Sequence, residues 1–133
     1  MLKVLIALVL LAHGIGHSMG LLQIFKVATV NPDWHGDSWL LTGAAGTTAT
    51  QVVGGLLWAA AIVGFTAVAA TILGWLPVSW FAPLAVGSAV ISLVGVVLFP
   101  IAFPVFSTIG AVAVDVAVVA AVVWYHWQPS DLA

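Results

Sequence analysis

An all-α transmembrane four-helix bundle with both termini on the same side is what this sequence predicts, on three observations. Only 5% of the 133 residues are charged and 64% are hydrophobic, where an ordinary globular domain carries about a quarter charged residues. A core of this size could not withdraw so much apolar side chain from water. Four stretches of roughly twenty predominantly apolar residues follow one another along the chain, each long enough to cross a bilayer. None of them alternates with period two, which removes the closed barrel, the other way of satisfying backbone groups in lipid.

The same composition excludes several functions. A mean hydropathy of +1.29 does not fit a soluble enzyme or a disordered tail. Two basic residues, Lys3 and Lys26, cannot neutralise a phosphate backbone, so nucleic acid is not a partner. With no cysteine there are no disulfides, thiolate zinc sites or iron–sulfur clusters.

The first span is expected over about residues 3–27, between the two lysines. Its start resembles a short signal peptide. The apolar run continues past Ala12 to Phe25, however, so a retained helix is expected. The connection 29–47 follows. Asn31-Pro32 begins a turn there, and Asp37 or Ser38 is placed to cap a short interfacial helix. The second span is expected over 49–73 and the third over 83–99, with Pro83 in its first turn, where a missing N–H costs nothing. Pro100 and Pro104 break the chain before the fourth span, 105–127. Trp34, Trp39, Trp75, Trp80, Trp124 and Trp127 fall at the predicted boundaries, as an aromatic belt would. Trp58 alone lies deep within a span. No internal repeat or second domain is evident, so 1–133 reads as one four-span domain. Lys3 and Lys26 cancel as orientation signals, and the acidic loop with Asp33 and Asp37 favours cytoplasmic termini.

A helix turns 100° per residue, which divides each span into faces. On the first, His13, Gly16, His17, Gly20 and Gln23 share one side, opposite Val4, Leu8, Leu11, Ile15 and Leu22. The polar and small side should face the bundle, with Gly16 and Gly20 spaced for close backbone approach. Thr48, Gln51, Gly55, Trp58 and Ile62 form the corresponding stripe of the second span. Thr108, Ala111, Asp115, Val122 and His126 form that of the fourth. The third offers Gly87, Ser88, Ser92 and Gly95, read as an exposed small-residue surface for docking. At 1.5 Å per residue, His13 and Asp115 lie at one level, roughly 15–18 Å from the surface they are counted from. His17 and Trp58 share a second layer, Gln23 and Gln51 a third.

A carboxylate near the bilayer centre is expensive. Asp115 therefore reads as an interhelical lock paired with His13, as a proton relay or ligand counter-ion, or as a contact with another subunit. An ionised pair and a neutral one both satisfy that pairing. His13 and His17, one turn apart on one face, are structural hydrogen-bonding groups, contacts for quinone or haem, metal ligands, or proton carriers. The metal reading lacks the Glu of H-E-x-x-H and would borrow Asp115 as third ligand. His126 lies at the wrong depth to share a haem with His13 and reads as an interfacial anchor. Asp33, His35 and Asp37 read as solvated loop groups with a weak metal alternative. The Trp58 indole N–H is expected to find His17 or a backbone carbonyl.

The segment Leu10-Leu11-Ala12-His13-Gly14-Ile15-Gly16-His17-Ser18-Met19-Gly20 resembles the first helix of small bacterial four-helix membrane proteins of uncharacterised function. More distantly it is similar to the DoxX-like group, whose first helix often carries His-Gly-x-x-Lys-x-x-Gly. His17 stands here in the place of that Lys. The resemblance implies a bacterial inner-membrane protein with an accessory role beside quinone-linked oxidoreductases. The leading expectation is accordingly a non-catalytic accessory or structural subunit, associating with other membrane subunits or itself. The alternatives are a redox-linked protein contacting quinone, haem or pigment through His13, His17 and Asp115, and a proton or small-solute pathway formed by an oligomer.

Overall fold

A computed structural model of the chain describes residues 1–132, and among them there are helices and no strands. Four helical segments are long and apolar enough to cross a membrane: Leu2–Ile24, Leu41–Ile72, Val78–Leu98 and Val105–Val123. The protein is a four-helix transmembrane bundle.

The first span is two helices, α1 (Leu2–Gly16) and α2 (Ser18–Ile24), rather than one. Between them the His17 N–H bonds to the Gly14 carbonyl, and the Gly20 N–H to the His17 carbonyl, at 3.1 and 3.0 Å. These are tight i→i−3 turns, and Gly14 and Gly16, poor helix formers, precede them. The span ends in a left-handed residue, Lys26, with φ +53°.

Helix α3 (Leu41–Ile72) begins earlier than the expected 49, because a short leading segment joins it across Gly46 at φ +83°. Ser38 organises that segment. Its Oγ accepts the Leu41 N–H at 3.1 Å, while its own N–H donates to Thr42 Oγ1 at 2.9 Å. A 3₁₀ turn (Val78–Trp80) leads into α4 (Phe81–Leu98), which holds Pro83 in its first turn. The last span, α5 (Val105–Val123), stops short of the expected 127. The chain leaves it through Trp124, and His126 adopts φ +51° ahead of a second 3₁₀ turn, Pro129–Leu132. His126 is thus outside the helix and off the interior stripe.

Helix α3 is central. It packs on α1 and α2 on one side and on α4 on the other, and α4 carries α5. Two apolar clusters fill the interior. One contains Ala7, Leu10, Phe65, Val68, Phe81, Ala85 and Val122; the other contains Ile24, Trp58, Val96, Phe99 and Ala102. Helix α5 is held lightly: it buries Asp115 and Val122, whereas α4 buries seven residues.

Several faces differ from the expectation. Gly16 is exposed and nothing lies where its Cβ would be, so it mediates no close approach. Gly14 does so instead: a Cβ there would stand 2.8 Å from the Phe65 Cβ. Gly20 is packed against the Trp58 indole and Gly55 against the Phe25 ring. Thr48 is exposed, whereas Thr50, Gly54, Trp58, Ala61 and Phe65 are buried on α3. Leu11 is half-buried against the first cluster rather than turned to lipid. The third span departs most. Ser88, Ser92 and Gly95 are buried in the bundle, so they form no outward docking surface; of the expected stripe Gly87 is part-exposed, with open space beside it. A Cβ on Gly95 would strike the Trp58 ring, and one on Gly64 the Ser88 side chain.

Candidate functional site

Four polar side chains meet between the two apolar clusters. His13 comes from α1, His17 from the turn after it, Ser92 from the middle of α4 and Asp115 from the middle of α5. His13 Nε2 lies 2.9 Å from Asp115 Oδ1. Ser92 donates its hydroxyl to Asp115 Oδ2 at 2.6 Å, and His17 Nε2 lies 3.0 Å from the same hydroxyl. A serine hydroxyl has one proton. With that proton on the Asp115 bond, His17 Nε2 is the donor to Ser92, and with an acceptor carboxylate His13 Nε2–H donates too. Two donors, His13 and Ser92, then end on the carboxylate, and His17 reaches it only through the serine oxygen.

The surroundings are apolar and aromatic. Asp115 and Ser92 are each 0% exposed. The His17 ring stacks on Trp58 at 5.3 Å with 16° between planes, and His13 meets His17 and Phe65 edge-on at 4.9 and 4.6 Å. The depth arithmetic thus corresponds to contacts in two of its layers, His13 with Asp115 and His17 with Trp58. The Trp58 indole N–H, expected to find His17 or a carbonyl, has no hydrogen-bond partner and lies flat against Gly20.

The serine is what residue-level reading missed. Spacing alone assigns Ser92 to a small-residue surface, yet it joins Asp115 to His17 and so ties α4 into a link otherwise limited to α1 and α5. A signal was present: Ser88, Ser92 and Gly95 recur at i, i+4 and i+7, one helical face.

The cluster opens sideways. A cavity of about 130 Å³ between α1 and α5 is lined by His13, Gly16, His17, Phe103, Ser107 and Ala111. Nearer the chain termini α1 and α5 border a separate apolar groove of about 400 Å³, lined by Ile6, Val9, Val114 and Val118 among others.

The remaining polar candidates lie apart. Gln51 Nε2 donates to the Ile24 carbonyl at 3.2 Å, while Gln23 Nε2 is buried without a partner. Both line a third cavity beneath the 29–37 segment. His35 and Asp37 touch at 3.3 Å in an exposed loop, and no group of three potential metal ligands occurs among the described residues. Compared with family models, curated proteins and solved structures, the chain matches none.

Proposed function

We propose that this protein is a non-catalytic accessory or structural subunit of a bacterial membrane complex, seated in the cytoplasmic (inner) membrane with both termini on the cytoplasmic side. One observation carries the reading: the chemically capable groups of the interior are spent on one another. Both Asp115 oxygens are engaged, by His13 and by Ser92, and Ser92 also holds His17. A carboxylate so enclosed is suited to fixing three spans in register; the Ser92 hydroxyl beside His17 is 0% exposed and gives its proton to Asp115, so this pair presents no nucleophile to a substrate. The DoxX-like resemblance of the first helix supports a partner role. The lightly buried α5 offers a surface for neighbouring subunits or a second copy.

The test is affinity purification of the tagged full-length chain in mild detergent, with mass spectrometry of what accompanies it. The expected result is a defined larger assembly, kept by Asp115→Asn, whose amide still hydrogen-bonds. A chain that runs alone, or an enzymatic activity lost in Asp115→Asn with the fold intact, overturns the reading.

A second reading rests on the lateral cavity. His13 and His17 face a space between α1 and α5 that a lipid-soluble quinone or quinol head could enter from the bilayer. Haem fits this reading less well. The cavity of about 130 Å³ is below the roughly 300 Å³ of common ligand pockets, and both Nε2 atoms are engaged. Organic extracts of the purified protein decide it, stoichiometric quinone supporting the reading and its absence opposing it. A proton or small-solute pathway would require an oligomer, because the four polar groups cluster around one helical turn of the first span.

A further inference from the structure

The cavity beneath the 29–37 segment is a built site that the polar cluster does not use. It measures about 230 Å³ and lies where α2 ends, beside α3, at the level of the loop tryptophans. Its lining includes Gln23, Lys26, Trp34, Asp37, Thr47 and Gln51.

Three features mark it as made for a ligand. Gln23 is 5% exposed, yet its Nε2 donates to nothing. Buried amide donors are almost always paired, and a turn of this carboxamide toward the cavity that Gln23 lines would give the donor an acceptor supplied from elsewhere. Lys26 is the second feature. Its N–H bonds to the Gln23 carbonyl, and the Val27 N–H reaches the Leu22 carbonyl, which makes Lys26 the left-handed residue of a Schellman motif. Glycine is usual there, and Gly74 takes the same position at the end of α3, with Gly74 N–H on Thr71 and Trp75 N–H on Ala70. At the first helix end the chain keeps a cation in a conformation that disfavours it. The third feature is the roof. Gly36 is pressed on the Ile24 backbone so closely that a Cβ could not fit. The His35 N–H bonds to the Ile101 carbonyl and the Trp39 indole to the Val97 carbonyl, at 3.1 and 2.7 Å, which fixes the loop over the space.

The charges choose the ligand class. The lining holds one lysine, one aspartate and His35, whose Nδ1 lies 3.3 Å from one oxygen of Asp37, with amide and hydroxyl groups between them. Lys26 and the Gln23 amide are complementary to a phosphate, and Asp37 to an ammonium. An anionic headgroup would meet Asp37 as a like charge. Trp34 and Trp39 belong to the headgroup level of a bilayer. We propose that this cavity binds a zwitterionic phosphoethanolamine group, carried by a phospholipid or presented as the free ester. The site is independent of the accessory-subunit reading and of the cluster around Asp115.

The test is native mass spectrometry of the full-length chain in detergent, offered equal amounts of phosphatidylethanolamine and phosphatidylglycerol, alongside calorimetric titration with free phosphoethanolamine. The wild type should keep the ethanolamine lipid about fivefold better. Lys26→Gly should weaken that binding about tenfold, the effect of losing one charge-assisted hydrogen bond. This variant relieves the left-handed strain, so its melting temperature shows that lost binding is not lost folding. Asp37→Asn should abolish the preference between the two lipids. Binding of the free ester alone, with the same dependence on Lys26, identifies the soluble source. Equal retention of both lipids by the wild type, with no ester binding, overturns the proposal. So does undiminished binding in both Lys26→Gly and Gln23→Leu.

Discussion

Replacing Ser92 with alanine removes one oxygen and tests whether the buried cluster holds the bundle together. Two hydrogen bonds vanish, the 2.6 Å bond to Asp115 and the 3.0 Å bond from His17. Hydrogen bonds between membrane helices average about 0.6 kcal/mol and reach about 1.7, so the pair is worth about 1 to 3 kcal/mol. The upper half of that range is expected, because Asp115 Oδ2 and His17 Nε2 stay buried and lose their partner. Ser88→Ala is the internal control. It lies one turn away on the same helix, is equally buried, and packs on Gly64 outside the cluster, so its cost should stay under about 1 kcal/mol. Reversible unfolding in mixed micelles by added sodium dodecyl sulfate, followed by circular dichroism, measures both variants. Tryptophan fluorescence adds a second probe, made local by the difference from a Trp58→Phe background, since Trp58 is the one of seven tryptophans that stacks on His17. Equal destabilisation by the two substitutions, or none by Ser92→Ala, refutes the idea that these bonds stabilise the interior.

Gly20→Ala should destabilise by about 1–3 kcal/mol, because its Cβ would lie 2.7 Å from Trp58 Nε1; Gly16→Ala meets nothing and should be neutral or gain up to about 1 kcal/mol from helix propensity. Thermal melts in one detergent compare the two. Lys26→Gly should raise stability by about 1 kcal/mol by relieving a left-handed residue, and an unchanged or lower melting temperature would contradict this. Reporter fusions at His35 and at the C-terminus should appear on opposite sides of the membrane, since three spans separate them.

The four spans were legible because length and apolarity define a transmembrane helix almost alone. The relation of His13 to Asp115 was legible for another reason: polar groups in lipid must find one another, and counting residues from the surface fixes their level. The faces were harder. In water an inward leucine differs from its outward neighbours, but lipid is as apolar as a core, so nothing in composition separates buried Leu10 from exposed Leu8. Centring the first face on its polar residues moved it toward Gly16 and away from Gly14. The tight turns at His17 compounded this, since a 3₁₀ turn advances about 120° per residue and shifts the phase beyond it. The role of Ser92 is not legible from the sequence because small residues serve equally well inside a bundle and between proteins.

The order in which the chain is made gives the lightly packed last helix a further significance. Asp115 is costly to place in a bilayer, about 2.5–3.5 kcal/mol at the centre of an inserting helix, and it belongs to the final span. Its partners His13 and Ser92, and the His17 that Ser92 holds, all precede it in the chain. By the time α5 enters the membrane, α1, α3 and α4 can already be packed, with both imidazoles and the serine hydroxyl in position. The carboxylate then arrives at a prepared receptor and need not wait exposed in lipid. Moved to the first span, the same aspartate would have to sit unpaired until three more helices were made.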